Sequence, residues 1–401
     1  MDGKVKLFDV EGIHLLGNFD YGNVIGLDDE GYDYIVNKDS TCDKKKAEEI
    51  EQAMTELKFY EKREEKKLDV AYLHVLDACN LHCVGCYSFV SDRNKIQAMS
   101  TDQVKRLINQ LHKSGVEEIV ISGGEPFLRN DMTELLRYAK EDCHIAKMSV
   151  ISNGTMEWDR YESAIPYMDQ LNISIDGYDE NTSFIRDKGI MPKVLATINH
   201  LKDKVSLNMI VTLHKKNMAY MREYNELSKR IGVRFSFSIF TVDEANPLFK
   251  DYVMSDTDLK EIEKTLMDLN IDAAISDVPI GGEALCCRTK CEAGNRLISI
   301  DARGDVYPCH MLHKQELKLG NALEEELKDI VFSERNIFLK LDVDSFEGCG
   351  ECEYKYLCGG GCRGRSYLRH LKLNQKDAYC AMIYDYYKDL MVNVKRSIGV
   401  M

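Results

Sequence analysis

A chain of 401 residues, 44% hydrophobic and 30% charged, has the make-up of a soluble globular protein with room for two or three domains. Its net charge of −14 argues against a nucleic-acid partner, which calls for a basic footprint. No apolar run approaches the ~20 residues of a membrane span. The start, MDGKVKLFDVEG, lacks the basic-then-apolar order of a secretory signal, so a cytoplasmic location away from membranes is expected. The 14 cysteines are the outlier. In a reducing compartment, clustered cysteines are more often metal ligands or catalytic groups than disulfides. Cys42 and Cys143 stand alone and read as small hydrophobes. The other 12 fall into two groups, 79–86 and 286–380.

Residues 1–66 read as a small unit. Val5–Phe8, Ile13–Leu16 and Asn23–Leu27 have strand character, and Asp28-Asp29-Glu30 opens a helix. Over Lys44–Lys58, Ala47, Ile50, Ala53, Met54 and Leu57 repeat at helical spacing. A three-stranded unit of this size leaves a sheet edge that can accept an extended peptide as an added strand. The order of strands, GLDDEGYDYI and helix resembles the PqqD-like leader-peptide recognition element fused to peptide-modifying enzymes. A plain N-terminal cap on the next domain is the alternative.

From 70 to about 245 strands and helices alternate. Strand-like runs are Val70–Leu76, Glu118–Ser122, Lys147–Ser152, Gln170–Ile175, Ser206–Leu213 and Arg234–Phe240. Ser100 caps a helix whose Val104, Leu107, Ile108 and Leu111 share a face, and Pro192 opens another that runs to Leu201. Such alternation implies a parallel sheet with right-handed crossovers, and in barrel versions chemistry sits at the C-terminal strand ends. Cys79-Asn-Leu-His-Cys83-Val-Gly-Cys86 follows the first strand. Three thiolates at C-x3-C-x2-C can hold three corners of an iron–sulfur cubane and leave one iron open; the alternative is a zinc site completed by His82 or His74. Gly123-Gly124-Glu125-Pro126 follows the second strand, Ser152-Asn153-Gly154 the third, and Ser174-Ile175-Asp176-Gly177 ends the fourth.

In that order these motifs resemble the radical SAM superfamily. The resemblance implies a [4Fe–4S] cluster on Cys79, Cys83 and Cys86 that binds S-adenosyl-L-methionine and yields a 5′-deoxyadenosyl radical. A ligand chelating the open iron through an amine and a carboxylate needs backbone close by, which Gly123 and Gly124 allow. It also needs an acid for its ammonium, for which Glu125 is the candidate, and a cation for its carboxylate, for which Arg186 is the candidate. Ser174 and Asp176 are candidates for ribose hydroxyls, although Asp176 has the alternative of capping a helix. Ser152, Asn153 and Tyr87 complete the expected cofactor contacts, and Asn217 with Met209–Thr212 resembles the adenine side. One departure stands out: the family usually has an aromatic residue before the last cysteine, and here it is Gly85, with Tyr87 just after Cys86.

Past a helix over Asp256–Leu269 come Cys286, Cys287 and Cys291, then Gly304 and Cys309, then Cys349, Cys352, Cys358, Cys362 and Cys380. The spacing C-x12-G-x4-C, C-x2-C-x5-C-x3-C, C resembles the SPASM extension of radical SAM enzymes. By that resemblance one auxiliary [4Fe–4S] cluster uses Cys291, Cys309, Cys362 and one of Cys286 and Cys287. A second uses Cys349, Cys352, Cys358 and Cys380, for three clusters in all. Zinc remains the alternative for C-x2-C with C-x3-C alone.

The expected architecture is α/β: a partial (β/α)6 TIM-like barrel over 67–280, a small winged-helix-like leader-recognition domain over 1–66, and a Cys-rich iron–sulfur domain over 281–401. The expected function is that of a maturase of a ribosomally made precursor peptide carrying a leader, served by an external flavodoxin- or ferredoxin-type electron donor. The expected product is a thioether from a carbon to a cysteine sulfur, as in sactipeptide and ranthipeptide enzymes; two auxiliary clusters suit it because an electron must leave after the carbon radical forms. Alternatives are a carbon–carbon or carbon–oxygen cross-link, epimerisation, sulfatase formylglycine maturation, and a non-enzymatic iron–sulfur electron carrier. In sulfatase maturases an aspartate base follows the cysteine of G-x4-C; here His310 stands there and is the candidate base.

Overall fold

The computed structural model describes residues 4–37, 42–244, 246–269 and 285–398. The expected boundary at 280/281 lies outside them. The chain forms two compact units that do not follow chain order: Met1–Glu65 with Val278–Cys291 and Leu341–Met401, and Lys66–Asp277 with Glu292–Lys340.

In the first unit β1 (Val5–Val10), β2 (Ile13–Asn18) and β3 (Asn23–Leu27) form an antiparallel sheet in the order β1-β2-β3. Helices Asp29–Asn37 and Lys44–Glu56 pack on it around Leu16, Leu27, Ile35, Ile50, Met54 and Phe59. So few buried side chains make a marginal core, and later parts of the chain enlarge it. Tyr356 packs edge-on against Phe8 and Phe19, at ring-centroid distances of 5.3 and 5.4 Å. Glu11 accepts bonds from Tyr354 and, at 2.8 Å, from Lys395. The N-terminal sheet thus shares a unit with the C-terminal cysteine loops and the closing helix Cys380–Ser397.

The second unit is built on β4 (Val70–His74), β5 (Glu118–Ser122), β6 (Lys147–Ser152), β7 (Gln170–Ile175), β8 (Leu207–Leu213) and β9 (Phe235–Ile239), all parallel in sequence order. Helices Thr101–Lys113, Met191–Leu201 and Met221–Ile231 lie in the crossovers. Ser100 and Gln103 form a reciprocal capping box at the first of them, satisfying two amides that a helix start leaves without partners. The partial barrel is therefore as expected. The sheet is longer than expected, however: β10 (Leu297–Ile300) adds parallel to β4, and β11 (Asp305–Tyr307) and β12 (Gly320–Asn321) continue antiparallel, giving nine strands. Among the described residues no helix is long and apolar enough to cross a membrane.

Candidate active site at the barrel mouth

The cysteine loop begins where β4 ends, and neighbouring loops hold it by contacts that only glycine permits. Gly124 donates its amide to Leu76 O at 2.8 Å, and Glu125 donates its amide to Ala78 O at 2.9 Å. A Cβ on Gly124 would lie 1.9 Å from Ala78 O, and one on Gly123 would lie 2.4 Å from Leu76 O. The glycine pair thus brings the second-strand loop onto the backbone that launches Cys79. The third-strand loop is tied in by side chains. Asn153 donates to Asn80 Oδ1 at 2.8 Å and points the same amide at Cys79 Sγ, 3.9 Å away, while Asn80 donates to Thr155 at 2.8 Å. The loop after β7 supplies the cation: Arg186 Nη1 lies 3.8 Å from Cys83 Sγ, and Val84 donates its amide to Ile185 O at 2.8 Å. Burial pushes the Cys79 and Cys83 thiols up; Arg186 is the main opposing charge at Cys83 and Arg93 a smaller one at Cys79.

These loops wall a cavity of about 590 Å³, within the range of ligand sites. Cys79, Cys83, Cys86, Tyr87, Gly123, Gly124, Ser152, Asn153, Ser174, Arg186 and His310 all line it. The cavity continues down the barrel interior past Asn172 and Asn208 to Glu118, Lys147 and Arg234 at the strand starts. Barrel interiors are usually filled by branched apolar layers; here Asn208 Nδ2 donates to Asn172 and to Ser236, both at 3.1 Å.

Two expected contacts sit elsewhere. Glu125 does not line the cavity. It is 1% exposed, and its carboxylate accepts from the Asn153 amide at 2.8 Å, the Ser152 hydroxyl at 2.9 Å and the Phe127 amide at 3.2 Å. Burial pushes its pKa up to about 7 against those three donors. It therefore joins the second and third loops. Asp176 is likewise buried and outside the lining. It accepts from the amides of Phe184, Ile185 and Arg186 at 2.6, 3.1 and 3.2 Å, and so holds the loop that presents Arg186. Asn217 turns its amide to Thr212 O at 2.9 Å, which orders the end of β8.

Gly85 has φ +67°, and a Cβ there would lie 2.3 Å from the Phe240 ring. The aromatic side chain that the sequence lacks before Cys86 is supplied from beyond β9, by a residue that spacing alone does not connect to the loop. His310 stacks on Tyr72 at 4.1 Å and meets Tyr87 edge-on at 5.5 Å, with Nδ1 3.6 Å from Cys309 Sγ. Behind it His74 is buried and His313 half-buried, and loss of solvent keeps both neutral; the His313 pKa falls to about 3.

In the other unit Cys349, Cys352, Cys358 and Cys380 gather so closely that every pair of their thiolates repels. Cys291 is a neighbour of Cys362 in the same sense. Cys287 is turned away: its amide donates to Gly22 O at 2.9 Å and its thiol to Asn23 O at 3.3 Å, and burial pushes that thiol up to about 12. Cys286 is exposed. None of the 14 cysteines is in a disulfide. Among the described residues no three His, Cys, Asp or Glu side chains close to the separations that hold a single metal ion. Four crowded cysteines whose thiolates repel one another need a cationic centre, and a cubane spreads its ligands over four corners rather than around one point. The residues present fit such a group.

Comparison with known proteins agrees with this geometry. Residues 73–228 match the radical SAM superfamily, and residues 291–353 match the SPASM iron–sulfur cluster-binding domain. The mycofactocin maturase MftC of Mycobacterium tuberculosis is 28% identical over 328 residues, 76% of this chain and 80% of that protein. An AdoMet-dependent heme synthase of Methanosarcina barkeri is 26% identical, over 75% of this chain and 93% of that protein. Streptococcus suis SuiB, solved bound to its precursor peptide SuiA, superposes with a TM-score of 0.62 at 17% identity, over 94% of this chain and 98% of that one.

Proposed function

We infer, from a chain that belongs to the radical SAM superfamily and carries an iron–sulfur cluster-binding SPASM domain, that it is a cytoplasmic maturase of a ribosomally made precursor peptide. The observation that carries the chemistry is the convergence of Cys79, Cys83, Cys86, the Gly123–Gly124 backbone and Arg186 on one cavity. The three thiols would hold a cluster with one open iron. Bound there, S-adenosyl-L-methionine supplies a carbon-centred radical able to remove a hydrogen atom. Gly123, Gly124, Ser152, Asn153, Ser174 and Tyr87 face the bound cofactor in this reading, and Arg186 pairs with its carboxylate. Glu125 and Asp176 act through the loops they fix. His310, on the same wall, takes the proton released as the product bond forms. Of the adjacent pair, Cys286 is the candidate cluster ligand and Cys287 a clasp on β2 and β3.

The peptide half of the reading rests on the N-terminal sheet, whose order leaves β1 and β3 at its edges among the described residues, on a relative that is a maturase by name, and on a structural neighbour solved with a precursor peptide bound. A leader segment adds to such an edge by main-chain hydrogen bonds. The finer reading is a thioether: a carbon gives up a hydrogen atom, a cysteine thiol gives up its proton, one electron leaves the substrate, and a C–S bond forms. A flavodoxin- or ferredoxin-type protein supplies the reducing electron for the cofactor.

The test is the mass of a cysteine-containing peptide encoded beside the gene after anaerobic incubation with reduced enzyme and S-adenosyl-L-methionine. Loss of two hydrogens with one thiol no longer alkylatable is the expected result. The same loss with all thiols free would mean another cross-link, and deuterium uptake without mass loss an epimerisation. An unchanged peptide with 5′-deoxyadenosine still formed would overturn the peptide reading and favour a small-molecule substrate, as the heme-synthase relative suggests.

A further inference from the structure

One pair of opposite charges is completely buried among the C-terminal cysteines. The side chains of Arg365 and Asp377 are 0% and 2% exposed. Nε and Nη2 of Arg365 donate to the two carboxylate oxygens at 2.8 and 2.7 Å, and the guanidinium lies 4.9 Å from the Tyr379 ring centre. A buried ion pair is poor support for stability, because desolvation offsets most of its attraction. Its placement gives it another use. Asp377 Oδ2 accepts the Cys362 amide at 2.6 Å, Oδ1 accepts the Tyr379 amide at 2.8 Å, and the Asp377 carbonyl accepts the Cys380 amide at 3.0 Å. Gly361 packs on the same carboxylate with φ +71°, and a Cβ there would lie 2.4 Å from Oδ2. Cys362 has Cys291 as its neighbour, and Cys380 has Cys349, Cys352 and Cys358. A single aspartate therefore holds the backbone of one member of each thiol set.

We propose that Arg365 and Asp377 are positioning residues shared by the two C-terminal iron–sulfur sites, with Asp377 fixing Cys362 against Cys380 and the pair of charges setting the reduction potential at Cys362. A cluster gains negative charge on reduction, so a fixed cation beside its thiolates favours the reduced state and a fixed anion disfavours it. Burial keeps both influences strong. Asp377 bonds the Cys362 amide directly, and Arg365, three residues further along the chain, bonds both oxygens of that carboxylate.

The test is a redox titration of the C-terminal clusters followed by electron paramagnetic resonance, with iron and sulfide counted in the same samples. It is run on the full reconstituted chain and on the chain with Cys79, Cys83 and Cys86 replaced by alanine, which retains only the C-terminal sites. Arg365→Gln is expected to lower the midpoint potential of one cluster, Asp377→Asn to raise it, and Arg365→Lys to keep it near wild type, with iron retained. A purely structural pair does not move the potential in opposite directions. Shifts of the same sign, no shift at full iron content, or loss of iron from both sites in all three variants would each overturn the proposal.

Discussion

The two groups of thiols are built in opposite ways. At the barrel mouth three cysteines ride on one loop, and that loop is held from outside by the backbone of Gly123 and Gly124, the amides of Asn80 and Asn153, and the segment carrying Arg186. Space remains in front of them. At the C-terminus four cysteines close on one another, and a sealed ion pair is among the charges beside them. One construction leaves a cavity in front of its thiols; the other turns its thiols on one another. The lesson is that the number of thiols says less about use than whether the supporting contacts stand behind the thiols or all around them.

The comparison is broken most severely by removing ligands. Cys83→Ala is expected to abolish S-adenosyl-L-methionine cleavage, by at least about 10³-fold, a loss of ~4 kcal/mol in transition-state stabilisation, while C-terminal iron stays. Cys358→Ala is expected to lose a C-terminal cluster's iron and retain that cleavage. Iron counts and 5′-deoxyadenosine yields check both.

The next effect is steric. Gly124→Ala forces a carbon to within 1.9 Å of the Ala78 carbonyl and is expected to cost more than about 3 kcal/mol. Gly26→Ala, with nothing within 4 Å of the added carbon, should stay within about 0.5 kcal/mol. Thermal melts distinguish the two. Gly85→Phe should be destabilising for two reasons, a positive φ and the Phe240 ring. Phe240→Ala in the same chain should recover only the part due to the ring, because the backbone strain of about 1–2 kcal/mol remains.

Much of this was legible in the sequence. The three central strands Glu118–Ser122, Lys147–Ser152 and Gln170–Ile175 and the helix Asp256–Leu269 lie where their patterns put them, because long apolar runs and helical spacing are local signals. Strands β10, β11 and β12 span only 4, 3 and 2 residues and carry no period to detect. The motif residues are legible as a set, but the amides that Glu125 and Asp176 accept are not. A motif's spacing names the residue type and not the direction its oxygens point. Gly85 with Phe240, and Arg365 with Asp377, are joined through space and left no signature in spacing.

The smallest predicted effect concerns Glu125, and it sharpens the open side of the comparison. Its folded pKa is raised to about 7, so the folded state binds this proton more tightly than the unfolded chain does. Its contribution to stability is fully present below the unfolded value of about 4.3 and is lost as pH rises through about 7. Glu125→Gln should flatten that limb of a melting-temperature profile while leaving C-terminal iron unchanged.

The account turns on the three-thiol site being the open one. The most direct measurement is 5′-deoxyadenosine formed by reduced, reconstituted enzyme in two chains, one with Cys79, Cys83 and Cys86 replaced by alanine and one with Cys349, Cys352, Cys358 and Cys380 replaced. No product from the first and product from the second is the result predicted. Product from the chain lacking the three barrel-mouth cysteines would contradict it.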